Sequence, residues 1–451
     1  MDMQKRWIIL FVALLSVGFL GLFYSGHEGV FTDIDSNLNF ADIAWMITAT
    51  IFVLMMTPGL SFFYGGMVRS KNVISTMLQS FIAMGVISVI WVVVGFSLAF
   101  GEDLGHFIGN PGTFFMFMHV GGATDKLLAP TIPLALYALF QMKFAIITPS
   151  LITGSFAERV RFSGYLVFMI LFCIFVYCPL AHWTWHPDGF LRQMGVLDFA
   201  GGIVVHASSG VAALAGAIFL GRRKESGQPA NIPFVLLGAA MLWLGWFGFN
   251  AGSSLAANSI AVKAFLNTNT ASATAMMTWV VFDCLRGRKP SAMGAAIGAV
   301  VGLVAITPSA GYVTVGESIF IALVVTIICN MAVSWKNKKN SFDDALDVFP
   351  THGVGGIVGT IMTGIFVYNA SENITYWQNL LNHIIAVVIV CGYTFIVTYA
   401  LYWITDKMIP MRVSEKSEKI GLDMSQHDER YGIETNRELA EYFDHGVDTK
   451  P

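Results

Sequence analysis

The sequence predicts an all-α integral membrane protein of eleven transmembrane helices, arranged as an inverted five-helix repeat with the N-terminus outside and the C-terminus cytoplasmic. Three observations predict it. Of 451 residues, 55% are hydrophobic and only 12% are charged, against roughly 25% charge in a soluble domain. Apolar runs of membrane-spanning length follow one another along the chain. Two of those runs, five spans apart, carry the same Asp, His and Gly spacing. The net charge of -3 conceals clustering, because most ionisable groups sit in short loops or in the last forty or so residues. No enzymatic chemistry, cofactor, metal site or nucleic-acid partner is expected, and membrane lipid is the surrounding phase.

A helix needs about 20 residues to cross about 30 Å of hydrocarbon. The first apolar run, Trp7 to Tyr24, follows Lys5 and Arg6 and ends at Ser25 and Gly26, the layout of a cleaved signal peptide over residues 1–26. The mature runs centre near 42–67, 73–100, 131–156, 162–182, 199–221, 232–252, 257–284, 291–308, 315–335, 345–368 and 380–406. Residues 27–410 then form the transmembrane domain and 411–451 a cytoplasmic tail.

Loop charge sets the orientation. With the first mature span starting outside, the cytoplasmic loops carry thirteen Lys or Arg residues, including Arg69, Lys71, Arg159, Arg161, Arg222 and Arg223, and the outer loops carry only Lys126, Arg192 and Lys263. Positive charge is retained on the cytoplasmic side, and an error of one span would scramble this split.

Ionisable residues inside a span are costly and mark candidate sites. His206 lies in GGIVVHASSG and His352 in FPTHGVGGIVG. Asp198 precedes His206 by eight residues and Gly210 follows it by four; Asp344 and Gly356 stand at the same distances from His352. Because five is odd, the second copy enters from the opposite side, so the repeat is inverted and its histidines can meet near the midplane. For one membrane histidine, an interhelical hydrogen bond explains the residue as well as function does. The pairing favours a polar path, since two neutral imidazoles donate and accept without a fixed charge. Haem ligation is the rival, but stacked haems need more than one histidine pair, and His182, His186 and His383 fall nearer span ends. Asp344 reads as a helix cap. Asp198, in LDFAGG, reads as a buried structural residue shaping the outer vestibule.

Glycines at four-residue spacing, Gly294, Gly298 and Gly302, Gly248 and Gly252, and Gly355 and Gly359, predict close helix approach. The five cysteines lie in apolar stretches without metal-ligand spacing and read as small hydrophobes.

Six segments carry a resemblance: TPGLSFFYGGMVRSKN (57–72), ITGSFAERVRFS (152–163), DFAGGIVVHASSG (198–210), GWFGFNAGSS (245–254), PTHGVGGIVGTIMTGIF (350–366) and RVSEKSEKIGLDMSQH (412–427). Through them the chain resembles the Amt/Mep/Rh ammonium transporters over nearly all its length, nearest the bacterial Amt branch. The resemblance implies a homotrimer in the cytoplasmic membrane, each protomer with its own pore for ammonium or ammonia. It implies an outer recruitment site at Phe140, Trp185 and Ser253, a gate of two stacked phenylalanines at Phe144 and Phe249, and a lumen lined by His206 and His352. It also implies that the tail meets a PII signalling protein.

The aromatic faces and a hydroxyl suit a compact cation. Two departures accompany the match. Lys143 replaces a small or neutral residue and lies about 100° from Phe144 around the helix, and Ala207-Ser208 replaces bulkier polar residues. A membrane sensor that binds ammonium and signals through its tail is the alternative; no appended output domain accompanies this chain, which favours transport.

Overall fold

The computed structural model describes residues 3–24, 31, 35–339, 341–367 and 374–432. Among these residues the chain is helical apart from loops and one small hairpin, Asp103–Leu104 paired antiparallel with Ile108–Gly109. Eight helical stretches are long and apolar enough to cross a membrane: Phe40–Met67, Ser70–Phe100, Leu134–Ile152, Phe162–Gln193, Gly202–Leu220, Ile232–Gly252, Val315–Lys339 and Tyr376–Met408. The other three expected spans are helical too, with weaker signals. Ala292–Ile306 has only 15 residues, Ser259–Leu285 is diluted by Asn, Thr and Ser, and Val354–Phe366 is a short helix entered through the irregular turn Phe349–Gly353. The fourth span extends past its expected end at 182 and carries Trp185 within its helix.

Side-chain caps close several helix starts and satisfy amides that apolar surroundings would leave unpaired. Asn39 accepts from Ala41 and Asp42, Asn231 from Phe234, and Asn258 from Ala261. Met3–Tyr24 forms a helix with Phe11 and Phe19 exposed, and the expected cleavage point at residue 26 lies outside the described residues.

Glycines bring the bundle together. Helix Ile232–Gly252 lies along Phe40–Met67 so closely that a Cβ on Gly248 would fall 2.5 Å from the Ala49 carbonyl oxygen. A Cβ on Gly302 would fall 2.4 Å from Ala271 O. The spacing in the sequence thus becomes backbone contact, in which dispersion and packing replace the hydrophobic drive that lipid does not supply.

The two histidine segments are built alike. Each enters its helix through a widened π-type turn, Gly202–Ala207 and Phe349–Gly353, that contains the histidine. The amide of Phe199 donates to Pro308 O at 3.0 Å, and that of Ala345, 146 residues on, donates to Ser155 O at 3.0 Å. The glycines repeat the relation: a Cβ on Gly210 would strike the Gly353 amide, and one on Gly356 would strike the Ala207 amide.

Candidate functional site

Phe140 and Phe144 lie one turn apart on Leu134–Ile152, so their rings share a face. Both are buried, and their centroids are 5.0 Å apart, edge to face. Phe249, from Ile232–Gly252, stacks on Phe144 at 4.1 Å and 26°. The ring of Phe140 occupies the space that a side chain at Gly252 would fill, with its nearest carbon 2.8 Å from an added Cβ.

Trp185 reaches the same cluster, its ring 5.8 Å from Phe144 and nearly perpendicular to it. It is anchored by an Nε1–H bond of 3.0 Å to the carbonyl of Asp198. The Asp198 carboxylate in turn accepts four backbone N–H bonds, from Gly201, Gly202, Ile203 and Val204, at 2.6–3.2 Å. A carboxylate so saturated by a helix start is a structural cap that orients the backbone under Trp185. Ser253 donates its hydroxyl hydrogen to Phe249 O at 2.8 Å, which leaves its oxygen lone pairs for a donor from outside. The structure therefore brings Phe140, Trp185, Ser253, Phe144, Phe249 and Asp198 into one region.

Beneath the phenylalanines stand the histidines. Phe249 is 5.9 Å from His206, and the His206 and His352 rings are 5.5 Å apart with their Nδ1 atoms at 3.4 Å. Both are buried, and among the described residues His206 Nε2 has no hydrogen-bond partner. They line a narrow cavity with Met56, Leu60, Ile147 and Val300. Its volume, taken as the space open to the centre of a water-sized sphere, is about 10 Å³. That admits roughly one small molecule at a time.

One residue of this lumen, Trp246, and its partner Thr307 escaped the sequence reading. Trp246 stacks over His206 at 5.2 Å and 20°, and its Nε1–H donates to Thr307 Oγ1 at 2.8 Å. Trp246 lay inside the GWFGFNAGSS segment, but a tryptophan in an apolar run reads as packing. The other half shows a parallel contact: Tyr64, on its opening helix, donates to Leu151 O at 3.0 Å, so an aromatic donor from the opening helix of each half reaches the far end of a later one.

On the opposite face, loops and tail are joined by ions. Glu158 accepts from Arg69 Nε at 3.0 Å and from Arg223 at 3.1 Å, while Arg223 holds Asp343 through two bonds of 2.8 Å. Burial opposes ionisation of Asp343, but the Arg223 and Arg159 guanidinium groups outweigh it and hold its carboxyl at about 2. The tail does not float free in its described part. Arg412 bridges to Val160, Leu422 N–H donates to Asn72 Oδ1 at 2.8 Å, and Asp423 accepts from Ile74 and Ser75 amides at 3.0 and 2.7 Å. Asp344, read as a cap, accepts from Phe349 N–H at 2.7 Å.

Comparison with known proteins agrees with this arrangement. The model of the Ammonium Transporter Family matches residues 44–431. A putative ammonium transporter of Methanothermobacter thermautotrophicus is 44% identical over 87% of this chain and 98% of its own length. An ammonium transporter of Bacillus subtilis is 42% identical, with 87% and 98% covered. Among solved structures, Candida albicans Mep2 superposes with a TM-score of 0.80 at 34% identity, covering 93% of this chain and 94% of that one. A sensor Amt protein reaches 0.80 at 30% identity, covering 86% and 98%. The fold and the histidine-lined lumen define a multi-pass membrane protein of the transporter class. The chain belongs to the ammonium transporter family.

Proposed function

We propose that this protein moves ammonium or ammonia across the cytoplasmic membrane, as a homotrimer of eleven-helix protomers with the N-terminus outside. The observation that carries the reading is the position of His206 and His352 directly beneath the stacked Phe144–Phe249 pair, in a lumen with room for one water-sized molecule. The thirteen-to-three distribution of loop charge supports the orientation, and the repeated contacts of the two histidine segments support an inverted repeat.

Phe140, Trp185 and Ser253 recruit the cation, the rings through their negative faces and the serine through its free lone pairs. A bare cation in an apolar lumen is expensive, whereas a neutral amine is cheap. Ammonium therefore gives a proton to vestibule water near the phenylalanine gate and crosses as ammonia past the histidines, each of which offers a nitrogen to it. Asp198 holds the backbone that carries Trp185. Residues 1–26 serve as a cleaved signal, and 411–451 form a regulatory tail against which a PII protein docks. A sensor role is the second reading, motivated by the likeness to the sensor Amt protein; the curated relatives of higher identity are named transporters. Reconstitution into liposomes with an ammonium gradient tests the proposal: an ammonium-dependent current or internal alkalinisation is expected, and its absence from correctly folded protein contradicts it.

A further inference from the structure

Lys143 is the single cationic residue on the helix that carries Phe140 and Phe144. It is 9% exposed, and among the described residues its Nζ meets no carboxylate; its contact is Met142 Sδ at 3.7 Å. With about 100° per residue, Phe140, Phe144, Ile147 and Leu151 form one row, and Lys143 stands roughly 70° from the centre of that row. On its other side lies the exposed Leu139. Helical side chains lean toward the helix N-terminus, and a lysine stem runs easily along apolar surface. The ammonium group is thus carried toward the level of Phe140 rather than toward the histidines.

We infer that Lys143 is a specificity-determining residue whose positive charge beside the Phe140–Trp185–Ser253 vestibule lowers its occupancy by ammonium, so that transport half-saturates at higher concentration than those contacts alone would set. This rests on the transport reading. With no carboxylate meeting it among the described residues, the charge acts on the vestibule from about one helical turn away, and in a medium of effective dielectric about 20 a separation on the order of 10 Å amounts to at least about tenfold in cation occupancy.

The test is a charge series in full-length protein reconstituted in liposomes, with the initial rate of ammonium-driven internal alkalinisation recorded against ammonium concentration for wild type, Lys143→Met, Lys143→Gln, Lys143→Arg and Lys143→Glu. Met and Gln should lower the half-saturating concentration by about tenfold, Glu should lower it further, and Arg should retain the wild-type value. The change in half-saturation should exceed the change in maximal rate. A side chain that only packs would sort by size, with Met and Arg alike and Gln apart. A flat series, or one that follows size, overturns the inference. Should Met fail to fold, Gln and Arg still separate charge from shape. A wild-type protein with neither ammonium-driven alkalinisation nor ammonium-dependent current would instead sink the transport reading itself.

Discussion

His206 and His352 face each other through their Nδ1 atoms, 3.4 Å apart, from two separate helix entrances. One ring must donate and the other accept for that contact to be favourable, so the pair is held in complementary tautomers. The donating ring then presents a bare Nε2 and the accepting ring an Nε2–H. The two ends of the pair therefore offer one acceptor and one donor to a molecule in the lumen. Trp246 fixes the plane of His206 by stacking, and Thr307 fixes Trp246.

Thr307→Val should expose this support. It removes the acceptor for a buried indole N–H, which costs about 1–3 kcal/mol. Thermal unfolding in detergent should shift down, and transport should fall more than stability alone explains, because the histidine plane is released. Thr307→Ser, which keeps the oxygen, should restore both. A valine variant with wild-type melting and flux would remove Thr307 from the account.

Trp185→Leu and Ser253→Ala should raise the ammonium concentration that half-saturates transport more than they reduce maximal flux. One cation–π contact and one hydrogen bond contribute on the order of 1–3 kcal/mol together. Flux measured over a wide concentration range checks this, and unchanged concentration dependence in both variants argues against recruitment at this place.

The ionic lattice of the opposite face has a defined pH behaviour. Asp343 is held at about 2, below its ordinary 3.8, so its contribution is fully present above about pH 4 and is lost as pH falls toward 2. Asp343→Asn should lower the melting temperature at pH 7 and flatten the acid limb, because it leaves the Arg223 guanidinium without its two-bonded partner. Melting curves at several pH values decide; an unaltered melt at pH 7 contradicts the role of the pair.

The tail responds with the opposite sign. Burial pushes Asp423 up to about 6 even though backbone amides at Ser75 and Ile74 pull it down. The docked tail thus binds a proton more tightly than a released one, and this share of docking strength is lost as pH rises through 6. Limited proteolysis after residue 413 should be slower at pH 5.5 than at pH 7.5 at matched protease activity, and Asp423→Asn should abolish the difference. Equal rates in the wild type would oppose it.

Much of this was legible in the sequence because the bilayer imposes simple patterns. Apolar runs anticipated the membrane-spanning helices, and the Asp–His–Gly spacing anticipated that His206 and His352 would meet. Glycine spacing anticipated the contact of Gly302 with Ala271. What stayed hidden depends on geometry that pattern does not encode. The widened turns at Gly202–Ala207 and Phe349–Gly353 leave no compositional trace. Trp246 and Thr307 are 61 residues apart, so their bond is a product of packing alone. The tail contacts span about 350 residues, as between Asn72 and Leu422, and a charged tail by itself reads as solvated. The three spans with the weakest apolar signal, 257–284, 291–308 and 345–368, are nonetheless helical where the sequence placed them, although the helices are shorter or more polar than the rest.

The central claim is that the histidine pair forms the polar part of the path, and one measurement addresses it most directly. Ammonium-driven internal alkalinisation is recorded on liposomes containing wild type or the His206→Leu, His352→Leu double variant at equal, correctly folded protein. Leucine keeps the bulk of the lumen and removes both donor and acceptor, a loss of two polar contacts that predicts a fall of roughly a hundredfold or more in rate. A rate at the wild-type level in the double variant would contradict the account.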